Sequence, residues 1–186
     1  SDRSRAALTE LTAKPPAHSA PRSIDPNGPV RPLDEATLAA VEVVGAPMIG
    51  AGAVPPDHCD LNGRMRAPWF IGRISDSVPN LLFDWRASLA EAAGDVRFGA
   101  AVLEYRLVYR RWPRAGDRVQ AHTSLGRTEN KAHSLIHWLM DPETGLAWMT
   151  SEAVAVTFDL DTRKVIPAPP EHAAELETIA PRGLTI

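Results

Sequence analysis

Apolar positions along the chain follow two different periods, and the change from one to the other lays out the expected elements. Between residues 67 and 78, Ala67, Trp69, Phe70, Ile71, Ile74 and Val78 recur at helical spacing, and their bulk suits a helix enclosed by other structure. Pro79 is expected to kink or restart that helix, because a mid-helix proline costs about 3 kcal/mol. A second piece over 80–93 then carries Leu81, Leu82, Trp85 and Leu89 and stops at Gly94. From residue 103 the period becomes two. Leu103, Tyr105, Leu107 and Tyr109 alternate with Glu104, Arg106 and Arg110, and Val119, Ala121 and Thr123 alternate with Arg118, Gln120 and His122. In a third run Ala132, Ile136, Trp138 and Met140 face one way while His133 and His137 face the other, toward an expected polar sheet face. Residues 146–158 make a long fourth run, and Val165 and Ile166 add a few paired residues. Turn-forming clusters at 113–117, 126–130, 141–145 and 159–163 separate the runs. Upstream, 48–54 is a short apolar run interrupted by glycine, as in a strand with a bulge or a close backbone contact.

A strand, a long apolar helix and four antiparallel strands in that order predict an α+β domain with the helix lying across one face of the sheet. The domain is expected over 46–170. Before it, 1–45 is an extension rich in proline, partly irregular, with a short helix available over 6–14. A second helix is expected from Asp34, which can cap it, to Val44, with Gly45 ending it. After it, 171–186 is expected to be a tail. At 186 residues and a formal charge of −3, the chain gives no electrostatic case for nucleic acid or an anionic membrane. Cys59 is the only cysteine, which excludes an internal disulfide and fits a reducing cytoplasm. No apolar run reaches the roughly 18 to 20 residues of a membrane span, so a soluble protein is expected.

The chemistry concentrates in residues 54–70, Val-Pro-Pro-Asp-His-Cys-Asp-Leu-Asn-Gly-Arg-Met-Arg-Ala-Pro-Trp-Phe. Asp60 or Asn62 can cap the helix that follows, and Pro68 suits its first turn. On local chemistry alone this is an ordinary capped helix. The order Asp60-Leu-Asn62-Gly63-Arg64-Met65, followed by Trp69-Phe70, resembles the Asp-x-x-Gly-His-Met/Val-Asn-Asn-x-x-Tyr signature of hotdog-fold acyl-CoA thioesterases of the 4-hydroxybenzoyl-CoA type. Tyr109-Arg-Arg-Trp-Pro-Arg-Ala-Gly-Asp117, Asn130-Lys131 and Asp159-Leu-Asp-Thr-Arg163 are similar to further family features, and the likeness spans about 48–170.

The resemblance implies a hotdog fold, an antiparallel β-sheet wrapped around a long central α-helix, that hydrolyses an acyl-CoA or acyl carrier protein thioester. Asp60 is then the general base that activates water, or the nucleophile that forms an acyl anhydride. N–H groups after Gly63, of Arg64 or Met65, are the expected oxyanion donors. Asp76 lies one position beyond a helix carboxylate that many relatives carry. Asn62, Arg66, Trp69, Phe70, Arg110, Arg127 and Lys131 are the expected substrate or coenzyme A contacts. No separate cofactor is implied, coenzyme A being part of the substrate, and no metal. The family builds its sites between subunits, which implies a homodimer or homotetramer. The chain departs from the signature at Arg64, Arg66 and Ala67. Arginine cannot accept a proton, so a histidine-like acid/base role is lost there, while pairing with a phosphate or carboxylate is gained. These departures leave open a noncatalytic acyl-CoA-binding protein. A hotdog dehydratase or hydratase would need a histidine, and His58 is the local one. His58 and Cys59 are neighbours on an extended chain and point apart, so they make a poor nucleophile and base. His133 and His137 would converge on a metal only on a helix.

Overall fold

The computed structural model describes Thr9 and residues 21–93, 97–129, 131–167 and 170–186. Of the helix expected over 6–14 only Thr9 falls among them, and the expected stop at Gly94 and the strand start at Asn130 lie outside them. The elements are α1 (Leu38–Val44), β1 (Met48–Ala53), α2 (Pro68–Ala93), β2 (Phe98–Tyr109), β3 (Arg118–Glu129), β4 (Ala132–Met140), β5 (Ala147–Asp159), β6 (Val165–Ile166) and α3 (Pro170–Ile179). All strand pairs are antiparallel, in the order β1-β3-β4-β5-β2, with β6 added to β5. The curled sheet wraps around α2.

Helix α2 enters the concave face through its apolar stripe. Phe70 and Ile74 are fully buried against Ile49, Val119, Ala121, Leu139 and Met149. Each such side chain contributes roughly 1.5–3 kcal/mol by burial. Of the two expected outcomes at Pro79, a kink or a restart, the restart does not occur: α2 runs unbroken through 26 residues. Pro79 is on the exposed face, and so is Ser75, whose carbonyl loses its partner to the missing N–H. Water can satisfy that carbonyl, and packing of the opposite face outweighs the remaining penalty. Where α2 crosses β1 the approach is close. A Cβ on Gly50 would lie 2.2 Å from Ser77 Oγ, which accounts for the glycine inside that strand.

The twelve-residue β2 carries a register shift between Val102 and Glu104, so Leu103 leaves the alternation and is 62% exposed, while Tyr105 and Leu107 stay half-buried. The histidines of β4 do not line an open polar face. His133 and His137 are buried on the side facing α2, and His137 shares a hydrogen bond of 2.8 Å between Nδ1 and Thr123 Oγ1. Burial pushes the His137 pKa down to about 4, so the ring is neutral.

The convex face is covered as well, which the alternation did not foreshadow. Residues of the N-terminal extension and of the expected C-terminal tail build a second core there: Ala36, Val41 and Ala46 pack with Ile136, Trp138, Met140, Leu184 and Ile186. Trp138 Nε1 donates to Thr185 O, and the Arg31 N–H donates to Ile186 O. The presumed tail is thus part of the fold, with Leu176 and Ala180 packed on Leu125 and Leu135. Helix α1 is capped by Thr37, whose Oγ1 accepts from Ala40 N, and not by Asp34, which lies in a 3-10 turn over Leu33–Glu35. Gly45 ends α1 in the left-handed conformation, as its sequence position indicated.

Candidate functional site

Asp60 does not cap α2. The chain from 60 to 64 is a tight hairpin: Asp60 N donates to Arg64 O at 2.8 Å, Gly63 N donates to Asp60 O at 2.9 Å, and Gly63 takes φ +73°. This is a three-residue loop closed by a left-handed glycine, a geometry that selects Asp at its first position and Gly at its fourth. The same Asp-x-Asn-Gly letters that read as a helix start are turn chemistry, and Pro68 opens α2 four residues after the loop closes. The loop is braced on the segment after β2. Cys59 bridges to Met65, Arg64 bridges to Arg114, Met65 N donates to Pro113 O at 2.8 Å, and Arg114 Nη1 donates to Asn62 O at 3.2 Å.

Within this loop Asp60 Oδ1 accepts the N–H groups of Asn62 at 2.8 Å and Arg64 at 3.0 Å. Oδ2 has no partner among the described residues. The Arg64 N–H bond, with that from Asn62 and the charges of Arg64 and Arg114, holds the carboxyl below the usual carboxylate range. The result is an exposed, ionised carboxylate with one oxygen fixed and the other unbonded among the described residues. The expected oxyanion donors are otherwise engaged: the Arg64 N–H is on Asp60 itself and the Met65 N–H is on Pro113 O. An amide at the start of α2 is better placed. Trp69 N and Phe70 N donate to Arg66 O and Ala67 O, and Pro68 has none, whereas the N–H of Ala67 has no acceptor among the described residues. Its signal in the sequence was the proline that follows it.

The other expected contacts divide. Arg66 stays at the loop, its Nη2 donating to Asp57 O at 2.8 Å. Trp69 is half-buried and stacks on His58, ring centroids 3.4 Å apart, and Cys59 Sγ is directed at Pro55 O, so His58 and Cys59 form no pair. Phe70 is core: fully buried, it meets Tyr109 and Trp112 edge-on at 5.0 and 5.3 Å. Met65 is equally buried. Arg110, Arg127 and Lys131 are not brought to the loop. Arg110 grips Thr150 Oγ1 and Arg31 O on the convex face, Arg127 donates to Ser23 O there, and Lys131 Nζ donates to Val165 O. Asp76 lies two turns into α2, about 12 Å along the axis from Pro68. It lines a separate pocket of about 270 Å³ with Arg73, Ser77 and Asn80 against β1. Arg73 and Asn80 had gone unnoticed in the sequence; their side chains donate to Ala53 O and Ile49 O, carbonyls of the edge strand β1.

A curled antiparallel sheet around one long helix, with an acidic loop leading into that helix, defines the hotdog class. Residues 54–176 match the family model described as the thioesterase-like superfamily, and the chain belongs to that superfamily. Among curated proteins none matches the chain. Solved structures share the fold at low identity. A Staphylococcus aureus protein in complex with CoA is 18% identical, with a TM-score of 0.64 over 76% of this chain and 90% of its own. A 1,4-dihydroxy-2-naphthoyl-CoA thioesterase from Synechocystis is 14% identical, with a TM-score of 0.58 over 69% and 93%. A 12:0-ACP thioesterase from Umbellularia californica is 14% identical, with a TM-score of 0.60 over 73% and 54%. Among the described residues no helix is long and apolar enough to cross a membrane.

Proposed function

We propose that the chain hydrolyses an acyl thioester of coenzyme A or of acyl carrier protein, with Asp60 as the acting carboxylate. The observation that carries this reading is the Asp60 carboxylate itself, fixed through Oδ1 and open at Oδ2, on a braced loop at the mouth of the central helix. Oδ2 activates a water or attacks the thioester carbon; in either path negative charge develops on the carbonyl oxygen. The free Ala67 N–H, at the positive end of α2, is the donor best placed by connectivity to receive it. Arg64, Arg66 and Arg114 surround the loop with positive charge suited to phosphates or to an acidic acyl group.

The site is completed, in this reading, by a second copy of the chain. The edge strand β2 pairs only with β5 among the described residues and exposes Val102 and Leu103, which supports pairing of two copies along it. The edge of β1, by contrast, has two of its carbonyls already taken by Arg73 and Asn80. A second reading, an acyl-CoA-binding protein without turnover, is favoured by one observation: the Arg64 and Met65 amides are bonded internally. Thiol release over short, long and aromatic acyl-CoA esters and an acyl carrier protein thioester separates the two. Turnover of any one supports hydrolysis; saturable binding with no release over the whole panel replaces it with the second reading.

A further inference from the structure

One cavity described in the molecule lies away from Asp60. It lies on the convex face of the sheet, holds about 790 Å³, and is lined by two segments outside the family match, 25–35 and 182–186, laid over β2, β3, β4 and β5. That volume is within the range of roughly 300–1,000 Å³ typical of small-molecule sites. Its base is apolar: Leu125, Ile136, Leu184 and Ile186 line it, with Val30 at the side, 45% exposed. Its polar lining is dominated by guanidinium groups, and one of them is without an acid. Arg31 is within 4.0 Å of Glu35, Arg127 within 3.9 Å of Glu152, and Arg182 within 2.9 Å of Glu177. Arg106 is half-buried, and among the described residues its only hydrogen-bond partners are two neutral carbonyls, Gly28 O and Pro29 O. A guanidinium has five N–H donors, so three of them have no acceptor among the described residues. Glu152 sits opposite Arg106 in the β2–β5 register, but its Oε1 accepts from Ser134 Oγ at 2.7 Å and lies 3.9 Å from Arg127, and among the described residues it makes no ion pair with Arg106.

We propose that this cavity is a second ligand site, distinct from the thioester site, for a free apolar carboxylic acid, with its carboxylate on Arg106 and its hydrocarbon body on the Leu125, Ile136, Leu184 and Ile186 floor. A planar carboxylate matches the fork of free guanidinium donors. A neutral apolar molecule would leave that charge uncompensated, and a multiply charged one would meet Asp25, Glu35 and Glu152 in the same lining. Because the cavity depends on the N- and C-terminal segments, the site is a property of this chain and is independent of whether Asp60 hydrolyses thioesters.

Calorimetric titration of the full chain with dodecanoate tests it. Wild-type protein is expected to bind one dodecanoate per protomer at this site, Arg106→Gln to weaken binding at least tenfold, and Val30→Trp, which fills the cavity from its exposed side, to do the same. Asp60→Asn is expected to bind dodecanoate as wild type does. Circular dichroism establishes that each variant is folded, and having two variants in different segments keeps the test open if one is not. Absence of binding, undiminished binding by the folded variants, or tighter binding by Asp60→Asn would overturn the proposal, the last by placing the acid in the thioester site, where loss of the Asp60 charge relieves repulsion between two carboxylates.

Discussion

His137 supplies the most quantitative consequence of the fold. It is fully buried beneath α2, hydrogen-bonded through Nδ1 to Thr123, and desolvation lowers its pKa from 6.5 to about 4. In the unfolded chain the ring regains its ordinary pKa, so below about pH 6.5 the unfolded state binds a proton that the folded state refuses. The sign follows: this group leaves stability untouched above about pH 7 and removes it progressively as the pH falls toward 4. The full span of the shift corresponds to about 3 kcal/mol, and about 2 kcal/mol of it falls between roughly pH 7.5 and pH 5. His122 and His133 are shifted in the same direction by burial, so the total loss of the wild type exceeds this one group's share. His137→Gln isolates it, because the amide can still meet Thr123 but does not titrate. Urea unfolding of both proteins at the two pH values gives the comparison. The variant is expected to lose about 2 kcal/mol less than wild type over that interval, whatever its absolute stability. Equal losses in the two proteins would refute the claim that this histidine is held neutral inside the sheet.

Three further outcomes follow from the packing and the edge strand. Phe70→Ala, which removes a fully buried ring between Ile74, Tyr109 and Trp112, is expected to cost about 3–5 kcal/mol in urea unfolding. A loss below about 1 kcal/mol would mean that the ring is not core. Gly63→Ala forces a Cβ onto φ +73° and is expected to destabilise the chain by about 1 kcal/mol while lowering thiol release, since the loop that orients Asp60 is strained. Unchanged stability and turnover would show that the left-handed turn does not position the carboxylate. Leu103→Glu places a charge on the β2 edge, 62% exposed at that residue, and, on the proposed pairing of two copies there, is expected to shift the mass measured by light scattering from dimer to monomer. A dimer of undiminished strength would move the interface elsewhere.

Much of the scaffold was legible because period-two alternation and turn chemistry are local signals. The runs at 103–109, 118–123, 132–140 and 146–158 all fall within observed strands or within one residue of them, and Asp141 to Gly145 turns where its composition said it would. Signals failed where tertiary context overrode them. Pro79 is tolerated because it is on the exposed side of a helix whose other side is buried. The convex face is covered by segments with no periodicity of their own, so the alternation that put Ile136, Trp138 and Met140 on one face did not say what would cover them, and His122, read as polar, is buried beside them. At the site, the signature residues located the loop but not its geometry. Asp-x-Asn-Gly serves both as a helix cap and as a hairpin turn, and only the position of Gly63 at the fourth residue distinguishes them. Arg110, Arg127 and Lys131 stand out in the sequence only by charge, and charge alone does not say which face of a strand a residue occupies. Ala67 carries no functional side chain, and its backbone N–H becomes visible only when its neighbours' bonds are assigned.

Thiol release from acyl-CoA esters by Asp60→Asn, alongside wild type and with circular dichroism to establish the fold, tests the central claim most directly. A neutral amide keeps the hairpin's shape while removing the charge and basicity of the free oxygen. Release by the wild type and a fall of about 100-fold or more in the folded variant is the predicted result. Equal turnover by the two proteins would contradict it and remove Asp60 from the chemistry.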